Sequence, residues 1–357
     1  MTLSLCMIVK DEEKVLERCL SSVCDIVDEI IIVDTGSTDK TKDIAKRFTD
    51  KVYNFKWIDD FSKARNYSFS KATKDYIMWL DADDIILEED RKKLKELKLN
   101  DKVDIYFMKY NIGFDEDENV TFSYYRERIL KRQKNYKWVG AIHEVIVPKG
   151  ECKYLDIAIT HKKINKRDNK RNLRIFEKII KSGEKLDPRQ EFYYARELYY
   201  NALYDSAIKR FENFLKRGDG FVENKISACL DLHSCYIALK QYEMAAYALT
   251  KSFIYDMPKA EVCCKLGDYF MWKKLYVNAK YWYERALEDK LDMTKGGFYN
   301  IDYYNYIPHI QLCVCLYNLK EFKLAYLENE KAGKYKPNSK IYLHNKKFFE
   351  ENNILEN

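Results

Sequence analysis

The sequence predicts a two-part chain: a parallel α/β sheet domain followed by an all-α domain of helical repeats. Two observations carry this. In the first half, short apolar runs alternate with helical patterns, and the runs end in acidic or Gly/Ser-rich loops. After Arg174 strands stop, glycine becomes scarce, and an aromatic-x-x-Ala pattern recurs at helical spacing. A chain of 357 residues has room for two domains with real cores.

Leu3 to Val9 is the first apolar run, strand-like and too short to cross a membrane. The polar segment Lys10 to Glu13 follows, then a helical pattern with Val15, Leu16, Cys19, Leu20 and Val23 on one face. Glu29 to Val33 is the next strand, ending in Asp34-Thr35-Gly36-Ser37-Thr38-Asp39. Gly36 permits a sharp turn, and Ser37, Thr38 or Asp39 can cap a helix beginning near Lys40. Asp34 stands where a carboxylate can accept from a nucleoside's ring or ribose; a capped turn alone would also account for Gly36 to Asp39. Tyr76 to Ile86 reads Tyr-Ile-Met-Trp-Leu-Asp-Ala-Asp-Asp-Ile-Ile, a buried strand ending in Asp81, Ala82, Asp83 and Asp84. Open α/β sheets bind ligands at that end of their strands. Two carboxylates one residue apart suit a hard divalent cation shared with substrate phosphates. A solvated acidic turn is the alternative for an isolated Asp-x-Asp, and the strand–loop–helix order upstream favours the site.

Four segments in order, Ser-Leu-Cys-Met-Ile-Val-Lys-Asp-Glu-Glu, Val-Asp-Thr-Gly-Ser-Thr-Asp, Phe-Ser-Lys-Ala-Arg-Asn and Trp-Leu-Asp-Ala-Asp-Asp, span residues 3 to 86. In them the chain resembles the family 2 glycosyltransferases of the GT-A fold, a Rossmann-like nucleotide-sugar domain. The resemblance implies transfer of a sugar from a nucleoside diphosphate, usually UDP, with inversion at the anomeric carbon. It implies that Asp34, Arg65, Asp81 and Lys10 bind the nucleotide-sugar, and that Asp81 and Asp83 form the Asp-x-Asp (DXD) motif handling ribose and metal.

Asp104 to Asn111 and Thr121 to Leu130 read as strands around the acidic turn Phe114 to Asn119. Trp138-Val139-Gly140-Ala141-Ile142-His143-Glu144 suggests an acceptor-side pocket. Inverting transfer needs a base to deprotonate the acceptor. Resembling proteins carry Ile-His-Glu at this point, which makes Glu144 the first candidate and His143 the second, with Asp115 and Glu116 behind them. A strand pair with one side chain buried is the plainer alternative for His143 and Glu144. His161 ends the strand Leu155 to Thr160; in the resembling metal-dependent enzymes a His after the last strand completes the metal site. Imidazole with carboxylates suits Mn²⁺ better than Mg²⁺. Lys162 and Lys163 add positive charge for the UDP leaving group. The basic run His161 to Arg174 reads either as a solvated linker or as a positive rim for a diphosphate or acidic acceptor.

The net charge of +6, from 63 basic and 57 acidic residues, gives no reason to invoke nucleic acid, and no interleaved aromatics accompany the basic run. Apolar content of 46% argues against disorder. The ten cysteines include no Cys-x-x-Cys pair and fall mostly at apolar positions, which predicts reduced core thiols and a cytoplasmic protein. The N-terminus has no basic region before its apolar run and no cleavage site, so no signal peptide is expected; no apolar stretch reaches transmembrane length.

The later pattern aligns Tyr204-x-x-Ala207, Tyr242-x-x-Ala245, Tyr276-x-x-Ala279 and Phe322-x-x-Ala325. The alanines are 38, 34 and 46 residues apart (245−207, 279−245, 325−279). Leu266-Gly267, Phe270, Tyr276, Ala279, Tyr283 and Ala286 resemble a tetratricopeptide repeat, and Ala325, Ala332 and Pro337 take later positions of the same pattern. An ordinary helical domain with aromatic packing is the alternative. The expected organisation is a catalytic domain over 1–165, a basic linker and helix over 166–190, and tetratricopeptide-like repeats over 191–357. This architecture resembles bacterial peptide S-glycosyltransferases of the sublancin type and clostridial flagellin glycosyltransferases. It implies a hexose or N-acetylhexosamine, GlcNAc or Glc, moved from a UDP-sugar to a Ser/Thr or Cys side chain of a protein or peptide held by the repeats. Mn²⁺ or Mg²⁺ would serve as cofactor, and the repeats could also join a homodimer. A glycan or lipid-saccharide transferase and a non-catalytic repeat scaffold are the alternatives.

Overall fold

The computed structural model describes residues 1–162, 164 and 170–352. Contacts divide the chain into two compact units, Met1–Ile112 with Ser123–Lys185, and Gly113–Phe122 with Leu186–Asn357. Residues 163 and 165–169 of the basic run, including Lys163, lie outside the described residues.

The first unit is built on a mixed sheet. Its strands are β1 (Leu3–Val9), β2 (Glu29–Asp34), β3 (Val52–Asn54), β4 (Tyr76–Trp79), β5 (Asp84–Ile85), β6 (Ile105–Phe114) and β7 (Val120–Lys131), these last two apart from their residues 113–122, and, after the small pair β8 (Trp138–Val139) and β9 (Val145–Ile146), β10 (Cys152–His161). The order across the sheet is β3-β2-β1-β4-β7-β6-β10-β5. Strands β3, β2, β1 and β4 run parallel, and β7 returns antiparallel beside β4. The central parallel strands are mostly apolar because both faces are covered: all six residues of β2 and all four of β4 are buried, while the edge strand β3 is partly exposed. Helices α1 (Leu16–Ser21), α2 (Thr41–Lys46), α3 (Phe61–Phe69), α4 (Glu88–Glu96) and α5 (Arg171–Lys181) complete this unit. One core joins Leu5, Met7, Leu16, Leu20, Ile32, Met78 and Ile159; a second, on the other side, joins Cys6, Ile31, Phe69, Ile77, Trp79 and Trp138.

The chain leaves β1 towards β2 on one side and leaves β4, on the other side of β1, towards β5 at the opposite edge. The crevice past the C-terminal ends of β1 and β4 is therefore a topological switch point, the place where such sheets bind ligands. Lys10 follows β1 directly, and Leu80 and Asp81 follow β4.

The second unit is a series of helical hairpins: α6 (Pro188–Tyr200) with α7 (Tyr204–Lys216), α8 (Val222–Ala238) with α9 (Tyr242–Thr250), α10 (Ala260–Trp272) with α11 (Tyr276–Glu288), and α12 (Tyr306–Asn318) with α13 (Phe322–Tyr335), closed by α14 (Lys340–Glu351). The repeated alanines Ala207, Ala245, Ala279 and Ala325 are all buried. Gly267 lets α10 approach α11: a Cβ there would stand 2.5 Å from the Tyr283 ring. Each hairpin turns the same way. Ala202, Lys240, Lys274 and Lys320 adopt left-handed φ of 59°, 58°, 58° and 63°. The next residue's N–H then bonds back five positions, at 2.9 Å in all four cases: Leu203 to Leu198, Gln241 to Tyr236, Leu275 to Phe270 and Glu321 to Leu316. This is the Schellman closure, made here without glycine. No helix among the described residues is long and apolar enough to cross a membrane. All ten cysteines are free thiols, and eight are buried.

Candidate active site

The loops after β1 and β2 are laced together. Asp34, buried at the end of β2, accepts the Gly36 and Ser37 N–H groups, both at 3.0 Å, and Lys42 stands 3.4 Å away. Thr38 N–H reaches Asp11 Oδ1 at 2.7 Å, Glu12 N–H reaches Thr41 Oγ1 at 2.7 Å, and Glu13 N–H reaches Asp39 Oδ2 at 3.1 Å. The Lys-Asp-Glu-Glu and Asp-Thr-Gly-Ser-Thr-Asp segments thus form one rim of the crevice, with Lys10 exposed on it and the Asp34 carboxylate shaping its turn.

At the end of β4 the three aspartates diverge. Asp81 Oδ1 accepts from Arg65 Nη2 at 2.7 Å. Arg65 Nε donates to Glu144 Oε1 at 2.5 Å, so one guanidinium on α3 ties the β4 end to the segment after β8. Arg65 lies 5.1 Å from the Trp79 ring centre and 4.9 Å from that of Trp138, and the two indoles meet edge-on at 4.9 Å. Burial disfavours the Arg65 charge, but Asp81 and Glu144 outweigh it and raise its pKa further.

Asp84 points inward and is fully buried. Its Oδ2 accepts from Arg128 Nη1 at 3.1 Å and from the Asp81 N–H at 3.0 Å, and its Oδ1 accepts from the Tyr110 hydroxyl at 2.8 Å. His161 arrives through the antiparallel pairing of β10 with β5, where it stands opposite Asp84, while Lys162 N–H donates to the Asp83 carbonyl at 3.0 Å. Its Nδ1 lies 3.5 Å from Asp83 Oδ1, 3.4 Å from Asp84 Oδ1 and 3.1 Å from the Tyr110 hydroxyl. Burial works against an imidazolium, yet the Asp84 hydrogen bond and the charges of Asp83, Asp84 and Asp81 prevail and raise the His161 pKa above its ordinary 6.5.

Asp83, Asp84 and His161 each offer a ligand atom within 4.8 Å of the others. Two carboxylates and an imidazole fit a divalent cation such as Mn²⁺ or Mg²⁺. Asp84 is already engaged by Arg128 and Tyr110, which leaves it better suited to orienting His161 than to ligating. Asp81 stands outside this group of three, on the Arg65 side.

His143 has φ 49° and stacks on Phe176 with ring centres 6.2 Å apart. Asp115 accepts the Asn119 N–H at 2.8 Å and pairs with Lys336 at 3.1 Å, and Glu116 pairs with Lys340 at 2.9 Å; all five residues belong to the second unit. Sequence reasoning passed over Asn66, Tyr110 and Arg128. Asn66 carried a signal, since it follows Arg65 within the quoted Phe-Ser-Lys-Ala-Arg-Asn segment. Arg128 carried a weaker one, a cation at an inward position of a strand.

Residues 4–147 match the glycosyl transferase family 2. This stretch is a family 2 glycosyl transferase domain. The glycosyltransferase SunS of Bacillus subtilis strain 168, from prophage SPbeta, is 28% identical over 248 residues, covering 64% of this chain and 58% of SunS. A TPR repeat-containing protein of Synechococcus elongatus is 52% identical over 86 residues, 24% of this chain and 21% of that protein. The chain therefore spans less than two thirds of the length of either relative. Among solved structures, Staphylococcus aureus TarS residues 1–349 align with a TM-score of 0.36 at 13% identity, over 71% of this chain and 88% of that one. The TPR protein YrrB aligns with a TM-score of 0.37 at 18% identity, over 48% of this chain and 79% of that one. In the glycosyl transferase domain Asp34, Arg65, Asp81, Asp83 and Glu144 all fall within the matched residues, and His161 falls beyond them.

Proposed function

We propose that the chain is an inverting, metal-dependent glycosyltransferase that moves a hexose or N-acetylhexosamine, GlcNAc or Glc, from a UDP-sugar to a protein or peptide side chain. One observation carries the reading. In a family 2 domain, two carboxylates at the end of β4 face different partners at the switch point, Asp81 towards Arg65 and Asp83 towards His161. Lys10, Asp34, Arg65 and Asp81 bind the nucleotide end of the donor. Asp83 and His161 would hold the cation, while Asp81, paired with Arg65, stands apart from them. A bound Mn²⁺ or Mg²⁺ would neutralise charge that grows on the departing UDP. Glu144 takes the acceptor's proton as its oxygen or sulfur attacks the anomeric carbon and the bond to UDP breaks on the opposite face. His143 is the second candidate for that role. The helical hairpins hold the acceptor polypeptide, in keeping with the stacked-repeat surfaces such arrays present.

The test is UDP release from a panel of UDP-sugars with Mn²⁺, with EDTA as control. EDTA-sensitive release from one donor is the expected result. No release from any donor, with or without peptide, glycan and lipid-saccharide acceptors, refutes the reading and favours a scaffold. A glycan or lipid-saccharide as sole acceptor would replace the polypeptide.

A further inference from the structure

We infer that Asn66 is a positioning residue that holds the Trp138–Glu144 segment, and through it Glu144, in the geometry of the reaction. The inference rests on the proposed role of Glu144. The Asn66 amide behaves as a short piece of strand. Its Oδ1 accepts the Trp138 N–H at 2.9 Å, and its Nδ2 donates to the Trp138 carbonyl at 2.9 Å. A primary amide carries donor and acceptor side by side and so satisfies both backbone groups of one residue.

Two further grips come from the same helix. Phe61 N–H donates to the Ala141 carbonyl at 2.8 Å, and Arg65 Nε reaches Glu144 at 2.5 Å. Helix α3 therefore holds the segment at residues 138, 141 and 144. Asp60 fixes the start of α3 by accepting the Lys63 N–H at 3.0 Å. Between the grips the backbone passes through positive φ at Gly140 (97°) and His143 (49°). The segment's own ladder is two pairs long, Trp138 with Ile146 and Val139 with Val145. A hairpin that short has little stability of its own, so the burial of Trp138 and Ile146 in the core and the hold from α3 together decide where Glu144 stands. The Asn66 amide is committed to Trp138, and its effect on transfer passes through Glu144.

The experiment uses the full chain, with Asn66→Ala and Asn66→Asp. It reads hydrogen exchange of peptides over residues 138–146, together with kcat and the donor KM. For Asn66→Ala, exchange in 138–146 should quicken about tenfold, as befits two lost hydrogen bonds, while β1 and β4 stay protected. Transfer at saturating donor should slow roughly ten- to hundredfold, with the donor KM within about twofold. Asn66→Asp keeps the acceptor for Trp138 N–H and should fall between, and it serves if Asn66→Ala does not fold. A merely structural role would loosen every strand of the unit alike and raise KM with the fall in kcat. Unchanged exchange over 138–146, or a loosened segment with unchanged kcat, overturns the inference. Absence of transfer by the wild-type chain would sink the glycosyltransferase reading, and the exchange arm alone would then decide whether Asn66 holds the segment.

Discussion

Arg128→Met tests whether the Asp81–Asp84 turn is held from beneath by a buried charge. Arg128 and Asp84 have no exposed side-chain surface, and Nη1 stands 3.1 Å from Oδ2. Arg128 also donates to the Trp79 carbonyl at 3.2 Å and lies 3.8 Å from the Trp79 ring centre and 4.4 Å from that of Tyr110. Removing one member of a buried pair strands the other charge and costs about 3–5 kcal/mol. Asp84 would keep the Tyr110 hydroxyl and the Asp81 N–H, which places the expectation near the lower end, about 3 kcal/mol. The double variant Asp84→Asn with Arg128→Met leaves no stranded charge and should recover about 2 kcal/mol of that loss. Because the chain has two units, one global transition is not assumed. Native-state hydrogen exchange of β4 and β7 reads the first unit directly, and about 3 kcal/mol corresponds to roughly a hundredfold loss of protection. A single variant within about 1 kcal/mol of wild type, or a double variant less stable than the single, would falsify the pairing argument.

Asp83→Ala should abolish EDTA-sensitive UDP release and weaken Mn²⁺ binding measured by calorimetry; an active variant removes Asp83 from the metal site. Glu144→Gln should bind the UDP-sugar and fail to transfer it, and unchanged turnover excludes it as the base. Glu29 is buried; burial works against its charge, but Lys51, Ser4 and Thr73 hold its pKa at about 2, below its ordinary 4.5. A depressed carboxylate stabilises the fold above its ordinary value and loses that contribution as pH falls towards 2. The loss is at most about 3 kcal/mol, since exposed Lys51 is screened by solvent. Acid unfolding curves of wild type and Glu29→Gln should converge at low pH, and a constant gap between them contradicts the linkage. Gly267→Ala forces a Cβ to 2.5 Å from Tyr283, so overpacking of about 1–3 kcal/mol should outweigh the helix propensity gained; a rise in Tm would show that Tyr283 can move. Lys274→Gly relieves a left-handed residue and should leave Tm level or raise it, the gain being at most about 1 kcal/mol; a clear fall would mean the lysine side chain matters more than its backbone.

Three of the parallel strands were legible because their burial on both faces writes them as largely apolar runs: Leu3 to Val9, Glu29 to Val33 and Tyr76 to Trp79 all appear as strands. The hairpins were legible from Ala207, Ala245, Ala279 and Ala325, whose small size is required where helices meet. The directions of Asp81, Asp83 and Asp84 were not. They depend on β10 returning beside β5, which sets His161 against Asp84, a contact across 77 residues. The role of Arg65 as a bridge was equally hidden, because Glu144 lies 79 residues further on. The hairpin turns escaped for another reason: sequence signals for helix ends rely on glycine, and here alanine and lysine take the left-handed position.

Those turns bear on how the array could change its length. The closure at Ala202, Lys240, Lys274 and Lys320 is made by main-chain atoms alone. Side chains at these corners can drift without altering the angle between paired helices. Duplication or loss of a whole pair would then carry its corner along intact, needing adjustment only where one pair stacks on the next. The number of hairpins is thus a quantity evolution can vary almost independently of their pitch, and an engineer could extend or shorten this part of the chain by the same unit.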